Sequence, residues 1–364
     1  MRRAFLCLLL LAACPAPIPA QDGFDGRRVL RPNDDPSGDT LNFQTAAQGF
    51  VMEDTIVLGS ARTALMFYGH KGLHRGTVLR NVKLWVAPGT VKNDRSYWAL
   101  RGYDMVDTLL ERVEITGFGR VTPMHDEGHA IYVNPAGDLT ILESFVHHNG
   151  GQGLQLVNRP RETSLPKGPM PGTIVVANTR FHENGFNPER GGFQVSIFGT
   201  GQGLELKDVE ILAGFDDTVW PKDLTSGGLV IEAEPHAPQR NKLPWWRPAE
   251  IEEDFVPPFT QGKVVLDNVT IRHRNPGKSL AQIKGCEELI VTGCTFEAEV
   301  TEDAPPGTIG KVVLDAPDKP GRSCGRIEWR GNRGNAVVFH EGRRLGLASE
   351  DFVIEPAASE AEND

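Results

Sequence analysis

The chain has 364 residues, 39 % of them hydrophobic, which is enough for one elongated domain or two ordinary ones. The formal net charge of −10 argues against a nucleic-acid partner, because phosphate binding needs a basic surface. The 40 glycines and 26 prolines argue for many turns and few long helices.

Residues 1–20 are expected to be a signal peptide that is not part of the fold. Two arginines precede an apolar run that is too short to span a bilayer. Cleavage after Ala20 would leave a soluble exported protein, periplasmic or extracellular. The alternative is a lipid anchor at Cys14, because Leu-Ala-Ala-Cys ending at this residue resembles a bacterial lipobox. No other stretch is apolar enough to predict a membrane span.

The rest of the chain divides by composition. The predicted parts are an N-terminal lead-in and cap at 21–60, a repetitive body at 61–355 and an acidic disordered tail at 356–364. Insertions are predicted in the body at about 159–172, 235–260 and 301–335.

A phrase of the form apolar-x-polar-small-x-apolar recurs along the body, at first about every thirty residues. Its copies begin at Leu79, Leu110, Ile141, Val176, Leu206, Leu266 and Val291. The third position holds Asn81, Asn178, Asp208 and Asn268, which we interpret as a structural ladder at a bend rather than as chemistry.

A second family of short strands alternates with the first. Its members are 65–68, 98–101, 131–134, 154–157, 193–196, 229–232, 281–284 and 337–340. In each, the first and third residues are expected to point to the core, and the second and fourth to face outward. One such strand cannot bury its apolar side, but stacking it on the next coil does so.

The phrase from Gly128 to Val133, with Leu139-Thr140-Ile141 and His148-Asn149-Gly150 after it, resembles the coil pattern of the pectate-lyase-like superfamily. The resemblance covers about residues 60–300. It implies an all-β fold, a single-stranded right-handed parallel β-helix solenoid of roughly eight coils with long loop insertions. We expect a monomer.

The outward positions of the second strand family form the candidate binding face, since a flat polar sheet suits an extended sugar chain. Its predicted substrate-binding residues are Arg101, Asn134, Gln155, Gln194 and Glu232. The insertion at 235–260 adds Trp245 and Trp246, which could stack on sugar rings, and cations that could bind carboxylates.

Acid–base candidates lie at the edge of this face. His125, Tyr132 and His148 are candidate bases, and Arg101 and Arg240 are candidate stabilisers of developing negative charge. His129 has inward parity and is expected to be structural.

Carboxylates give two further candidates. Asp126 and Glu127 could serve a hydrolase or bind calcium, the one cofactor that we consider. Asp216 and Asp217 resemble the paired aspartates of polygalacturonase-like hydrolases, although the other motifs of that family do not surround them.

Three functions therefore stay open. The first is lyase or epimerase chemistry on an acidic glycan, with a polysaccharide or cell-envelope glycan as partner. The second is a periplasmic or surface solenoid that binds glycan or protein without turnover, and the third is glycoside hydrolysis. An exported compartment permits a disulfide among Cys286, Cys294 and Cys324, and the first two are the nearer pair in sequence. The alternative is that these cysteines are buried and unpaired.

Overall fold

A computed structural model describes most of the body of the chain. The described residues are 26–31, 38–59, 62–68, 72–86, 98–119, 128–157, 172–186, 192–199, 201–220, 226–232, 261–302, 304, 306–314 and 324–355. The predicted signal peptide with Cys14, the insertion at 235–260, nearly all of the insertion at 159–172 and the tail at 356–364 lie outside them.

The described residues form thirty β-strands and no helix. In chain order the strands are β1 (Arg28–Leu30), β2 (Leu41–Phe43), β3 (Val51–Leu58), β4 (Thr63–Phe67), β5 (His74–Arg75), β6 (Val78–Trp85), β7 (Trp98–Val106), β8 (Thr108–Glu111), β9 (Glu114–Thr116), β10 (Ile131–Pro135), β11 (Leu139–Leu142), β12 (Phe145–His147), β13 (Leu154–Val157), β14 (Thr173–Ala177), β15 (Arg180–His182), β16 (Phe193–Phe198), β17 (Gly201–Lys207), β18 (Glu210–Ala213), β19 (Gly227–Glu232), β20 (Gln261–Asp267), β21 (Thr270–Arg274), β22 (Ala281–Lys284), β23 (Glu288–Thr292), β24 (Thr295–Glu299), β25 (Lys311–Val313), β26 (Arg326–Arg330), β27 (Arg333–Gly334), β28 (Val337–His340), β29 (Arg343–Leu347) and β30 (Phe352–Ile354). Within these ranges no helix is long and apolar enough to cross a membrane.

The strands build two sheets, a first sheet of 18 strands and a second sheet of 12. The chain alternates between them, so that β8 and β9 belong to the first sheet, β10 to the second, and β11 and β12 to the first again. Successive passages pair in parallel, for example β8 with β11 and β10 with β13. This all-β, mostly parallel arrangement is compatible with the predicted parallel β-helix.

The first repeat stacks in register, as its spacing predicts. Leu110 lies opposite both Leu79 and Ile141, and Leu206 lies opposite both Val176 and Leu266. All six are buried in one apolar core that also contains inward side chains of the second sheet. Burying one such side chain contributes about 1.5–3 kcal/mol, so the stacked rows are the main stabilising feature of the fold.

Left-handed backbone conformations mark the bend within each passage through the first sheet. The predicted ladder of Asn81, Asn178, Asp208 and Asn268 has φ between 49° and 53°. Asn and Asp tolerate this region better than other residues with a Cβ, which explains their recurrence. Later passages place glycine at the same position, where Gly293 has a φ of 63°.

Two antiparallel strands follow the last parallel passages. β29 pairs with β28 in the second sheet, and β30 pairs with β26 in the first. Because unpaired strand edges can recruit other chains, this reversal covers an exposed edge.

Two of the predicted regions contain strands. The region 301–335, predicted as a looped insertion, contains β25, β26 and β27, and β26 continues the first sheet by pairing with β23. The predicted cap at 21–60 likewise contains β1, β2 and β3. The strands in the later region are two to five residues long, and the surrounding proline and glycine concealed them.

Candidate functional site

The outer face of the first sheet carries ion pairs between successive strands. Arg80 binds Glu53 on one side and Glu111 on the other, with its Nε 2.7 Å from Oε2 of Glu111. The Nζ of Lys83 lies 2.6 Å from Oε1 of Glu114. Such charges compensate one another, so these residues offer a ligand little net charge to recognise, and the exposed pairs contribute little stability.

The outer row of the second sheet has a different composition. Arg101, Tyr132, Gln155 and Ser196 lie opposite one another on four successive strands. Met66 precedes Arg101 in this row, and both Met66 and Ser196 are at most 1 % exposed. Parts of this outer row are therefore shielded from solvent, so exposure to water alone does not explain its polar side chains.

The guanidinium of Arg101 lies among three aromatic rings. It is 4.2 Å from the ring centre of Trp98, 5.1 Å from that of Tyr103 and 5.7 Å from that of Tyr132. Trp98 and Tyr103 are buried, whereas Arg101 and Tyr132 are partly exposed. The rings hold the cation in place and lower its conformational freedom, which favours binding of a carboxylate.

His129 completes the group. Its ring is stacked on Tyr132 with 6.1 Å between the centroids, and its Nδ1 accepts a hydrogen bond of 3.3 Å from the backbone N–H of Gln152. Burial, and then the positive charge of Arg101, lower the pKa of His129 to about 4, although a hydrogen bond with Gln155 opposes the shift. His129 is therefore neutral at pH 7.

We call this group the Arg101 platform. It consists of Trp98, Arg101, Tyr103, His129, Tyr132 and Gln155. It combines one positioned cation, two phenols of which only that of Tyr132 is partly exposed, an amide and apolar ring faces. These are the groups that bind a sugar ring with a carboxylate substituent, and the phenol can exchange a proton when it is ionised.

Three of the predicted site residues, Arg101, Tyr132 and Gln155, meet in the platform. His129 was expected to be structural, and its hydrogen bonds to neighbouring residues support that, but its ring is also a wall of the platform. Trp98 and Tyr103 were missed. The available signal was their position in the same strand as Arg101, at a spacing that brackets it.

The prediction that Gln194 lies on the outward face is wrong. Its side chain is fully buried, where Oε1 accepts a 2.7 Å hydrogen bond from the backbone N–H of Asn184 and Nε2 donates to the Asn184 carbonyl. The pairing of β16 with β13 begins with Val195 opposite Leu154. Phe193 and Gln194 therefore precede the part of β16 that pairs with β13. Gln194 consequently holds a bend together and does not line the face.

Asn134 and Glu232 lie apart from the platform row. Asn134 is only 3 % exposed, so it is not the solvent-accessible position that the prediction expected. The register of its strand shifts between Val133 and Pro135, which disturbs the alternation that the prediction used. Glu232 is partly exposed, and its Oε1 lies 3.9 Å from Nζ of Lys284 on the next strand.

His148 belongs to a different cluster, at the bend that follows the first sheet. Its Nε2 lies 3.0 Å from Oδ2 of Asp216, and its Nδ1 lies 2.8 Å from Nδ1 of His147. His147 Nε2 in turn faces Oε1 of Glu114 at 3.5 Å. The contacts described for His148 join it to this cluster and not to the Arg101 platform.

The side chains of Glu114, His147, His148 and Asp216 therefore contact one another in succession. Because these contacts engage the four polar groups with one another, we assign the cluster to stability.

The two adjacent aspartates have separate partners. Hydrogen bonds from Thr218, and to a lesser degree from His148, hold the pKa of Asp216 below its usual value. Oδ1 of Asp217 lies 2.9 Å from Nη1 of Arg274. Since each carboxylate is engaged in its own interaction, this pair does not form a two-carboxylate hydrolytic site.

A serine–histidine contact also lies near the first sheet. The hydroxyl of Ser226 is 2.7 Å from Nε2 of His273, whose Nδ1 is 2.7 Å from the backbone carbonyl of Arg274. Burial lowers the pKa of His273 to about 4, so the ring is neutral and its Nε2 accepts the serine proton. Both side chains are buried, and we assign the pair to packing rather than to nucleophilic catalysis.

Several predicted residues lie outside the described part of the chain. They are His125, Asp126, Glu127, Arg240, Trp245, Trp246 and Cys14. Among the residues that the structure does describe, no group of three or more His, Cys, Asp or Glu is placed to hold a metal ion.

A shallow groove of about 410 Å³ lies on the first sheet, away from the Arg101 platform. Phe215, Arg272 and Glu297 line it, and Arg272 Nε is paired with Glu297 Oε2 at 2.9 Å. None of the predicted site residues lines this groove, so we keep the Arg101 platform as the candidate site.

Comparison of the chain with protein-family models, with curated proteins and with solved structures finds no match.

Proposed function

We propose that the protein is an exported right-handed parallel β-helix of the pectate-lyase-like type that acts on an acidic polysaccharide. The proposed chemistry is β-elimination or epimerisation at the Arg101 platform. The observation that carries the proposal is the guanidinium of Arg101 held among three aromatic rings beside an uncharged histidine. A uronate residue offers a carboxylate for the guanidinium and ring faces for the aromatic side chains.

Both reactions begin with removal of the proton next to the sugar carboxylate. Negative charge then develops on that carboxylate, and a fixed cation beside it lowers the barrier. Arg101 has this role in the proposal, and Tyr132, the nearest described candidate base, takes the proton as a phenolate. Elimination continues with loss of the glycosidic oxygen, whereas epimerisation returns a proton to the opposite face of the sugar.

His129 and Gln155 have positioning roles in this proposal. The neutral imidazole stacks on Tyr132 without adding a second positive charge, and its hydrogen bond with Gln155 fixes the amide. An amide in that position can bind a sugar hydroxyl. Replacing His129 should therefore raise KM more than it lowers kcat.

Binding without turnover is the alternative that the same geometry favours most, because a cation packed among aromatic rings is also a rigid recognition surface. Glycoside hydrolysis is less favoured. The described residues of the platform include no carboxylic acid, whereas hydrolysis needs two.

The test offers alginate, pectate and glycosaminoglycans to the purified protein. Elimination gives an unsaturated product with a new ultraviolet absorbance, and epimerisation changes the uronate composition measured by NMR. Hydrolysis would give new reducing ends without the absorbance. Binding to one of these polymers without any of the three signals would favour the non-catalytic alternative.

Two arginine variants locate the activity. Arg101→Gln should lower kcat/KM at least about 100-fold, the usual effect of removing one stabilising group at an oxyanion. Arg272→Gln is the matched control, since Arg272 also packs over an aromatic ring, Phe215, but on the first sheet. Equal effects of the two substitutions, at equal thermal stability, would show that the platform is not the site.

A further inference from the structure

Cys286 and Cys324 lie side by side in the buried core. Their Sγ atoms are 3.0 Å apart although the residues are 38 positions apart in sequence. Cys286 follows β22 of the second sheet, and Cys324 precedes β26 of the first. We propose that these two residues form a disulfide, which would join two successive passages of the chain.

The backbone geometry supports this pairing independently of the sulfur contact. Glu288 lies opposite Arg326 in the parallel pair β23–β26. The N–H of Gly325 donates a 2.8 Å hydrogen bond to the carbonyl of Cys286, so the two backbone segments stay adjacent as far as the cysteines. Neighbouring strands lie about 4.8 Å apart, within the Cα separation of about 4.4–6.8 Å that a disulfide requires.

Cys294 is excluded as a partner by its own contacts. Its Sγ lies 3.3 Å from the carbonyl of Thr292 and accepts from the N–H of Val269 at 3.3 Å. Ser144 and Thr179 make the same contacts with their hydroxyl groups at the equivalent bend position in earlier passages. Cys294 therefore substitutes for a hydroxyl residue in a structural ladder, and the pairing of Cys286 with Cys294 that sequence proximity suggested is not the one that the geometry supports.

The reaction is a thiol–disulfide exchange with a small-molecule disulfide such as glutathione disulfide. One cysteine thiolate attacks the oxidant, forms a mixed disulfide and releases one glutathione thiol. The second cysteine thiolate then displaces the other glutathione. Two protein thiols are oxidised to one disulfide, and one glutathione disulfide is reduced to two thiols. In the folded protein the contact with Cys324, and then burial, raise the pKa of Cys286, and burial raises that of Cys294 to about 12, so the exchange takes place while the chain folds and before the core closes.

The test refolds the reduced protein in the presence of glutathione disulfide, then unfolds it in denaturant containing a maleimide, and maps the peptides without reduction. The expected result is a peptide pair that joins Cys286 to Cys324, with the maleimide on Cys294. Maleimide on all three cysteines, or a peptide that joins Cys286 to Cys294, would overturn the proposal.

Variants add a second readout. Cys294→Ser should keep the linked peptide, because Ser144 shows that serine fits this ladder position. In oxidised protein, Cys286→Ser and Cys324→Ser should each lower Tm by several degrees Celsius, and the double variant should lower it no further than either. Additive losses would mean that the two thiols only pack independently, which contradicts a disulfide.

Discussion

The outer faces of the two sheets have the same strand geometry but different chemistry. On the first sheet, lysine and arginine side chains alternate with glutamate along the stack, as in the pairs Lys83–Glu114 and Lys263–Glu288. On the second sheet, the cation Arg101 lies among aromatic rings. The two faces therefore differ in how they hold their charges, by cross-strand ion pairs on the first sheet and by packing of a cation against aromatic rings on the second.

The same contrast holds for two histidines whose pKa values are strongly lowered. His273 is buried at the end of a first-sheet strand, and His129 is a wall of the Arg101 platform, yet the pKa of each is lowered to about 4. Both rings are neutral in the folded protein at pH 7. Of the two, only His129 belongs to the Arg101 platform, so only its replacement is expected to affect ligand binding.

Lowering the pH should therefore cause the largest expected change in the free energy of unfolding. An unfolded histidine has a pKa near 6.5, so below that pH the unfolded chain binds protons that folded His273 rejects until about pH 4. The stabilisation by neutral His273 is complete above pH 6.5 and falls by about 3 kcal/mol as the pH drops to 4. Urea unfolding at pH 7 and pH 4.5 should give a smaller difference for His273→Gln than for the parent protein.

The matched variant His129→Gln should show the same loss of acid sensitivity. It should also weaken binding of the acidic glycan, whereas His273→Gln should leave that binding unchanged. If both variants kept the parent's pH dependence of unfolding, burial of neutral imidazole would not be the source of the acid sensitivity.

Two glutamines make the next comparison. Gln194→Leu removes two buried hydrogen bonds and leaves the Asn184 backbone groups without them, so it should lower the free energy of unfolding by about 2 kcal/mol. Gln155→Leu, in the outer row, should change stability little but weaken glycan binding. Denaturant unfolding and isothermal titration on both variants measure the two effects, and exchanged outcomes would reverse our assignment of the residues.

The smallest effect concerns an ion pair on the first sheet. Hydrogen bonding to His147, and then to Lys83, lowers the pKa of Glu114 to about 2. The stabilisation by the carboxylate is present above pH 4.5 and is lost as the pH falls toward 2. Because Glu114 is one-third exposed, solvent screening reduces the benefit to about 1 kcal/mol.

Glu114→Gln should lower stability by that amount at pH 7 and leave glycan turnover unchanged. Adding salt should reduce the difference between the variant and the parent protein in chemical unfolding. A loss of turnover in this variant would show that the two faces are not separate in function.

The sequence by itself determined the all-β character, the stacking of the first repeat and the ladder of Asn81, Asn178, Asp208 and Asn268. These follow from local rules, because apolar alternation fixes which side of a strand is buried, and asparagine or aspartate tolerates the left-handed bend. Arg101, Tyr132 and Gln155 could be placed on the outer face for the same reason.

Only the tertiary structure decided the register of the second sheet and the neighbours of each polar side chain. Shifting β16 by two residues relative to β13 keeps the same alternation of inward and outward positions. The sequence pattern therefore could not show that Gln194 precedes the part of β16 that pairs with β13, or that its side chain binds Asn184. The packing of Arg101 against Trp98 and Tyr103, and the contact between Cys286 and Cys324, depend on which strands become neighbours. Alternation along one strand records which side is buried, whereas these contacts depend on pairing between strands.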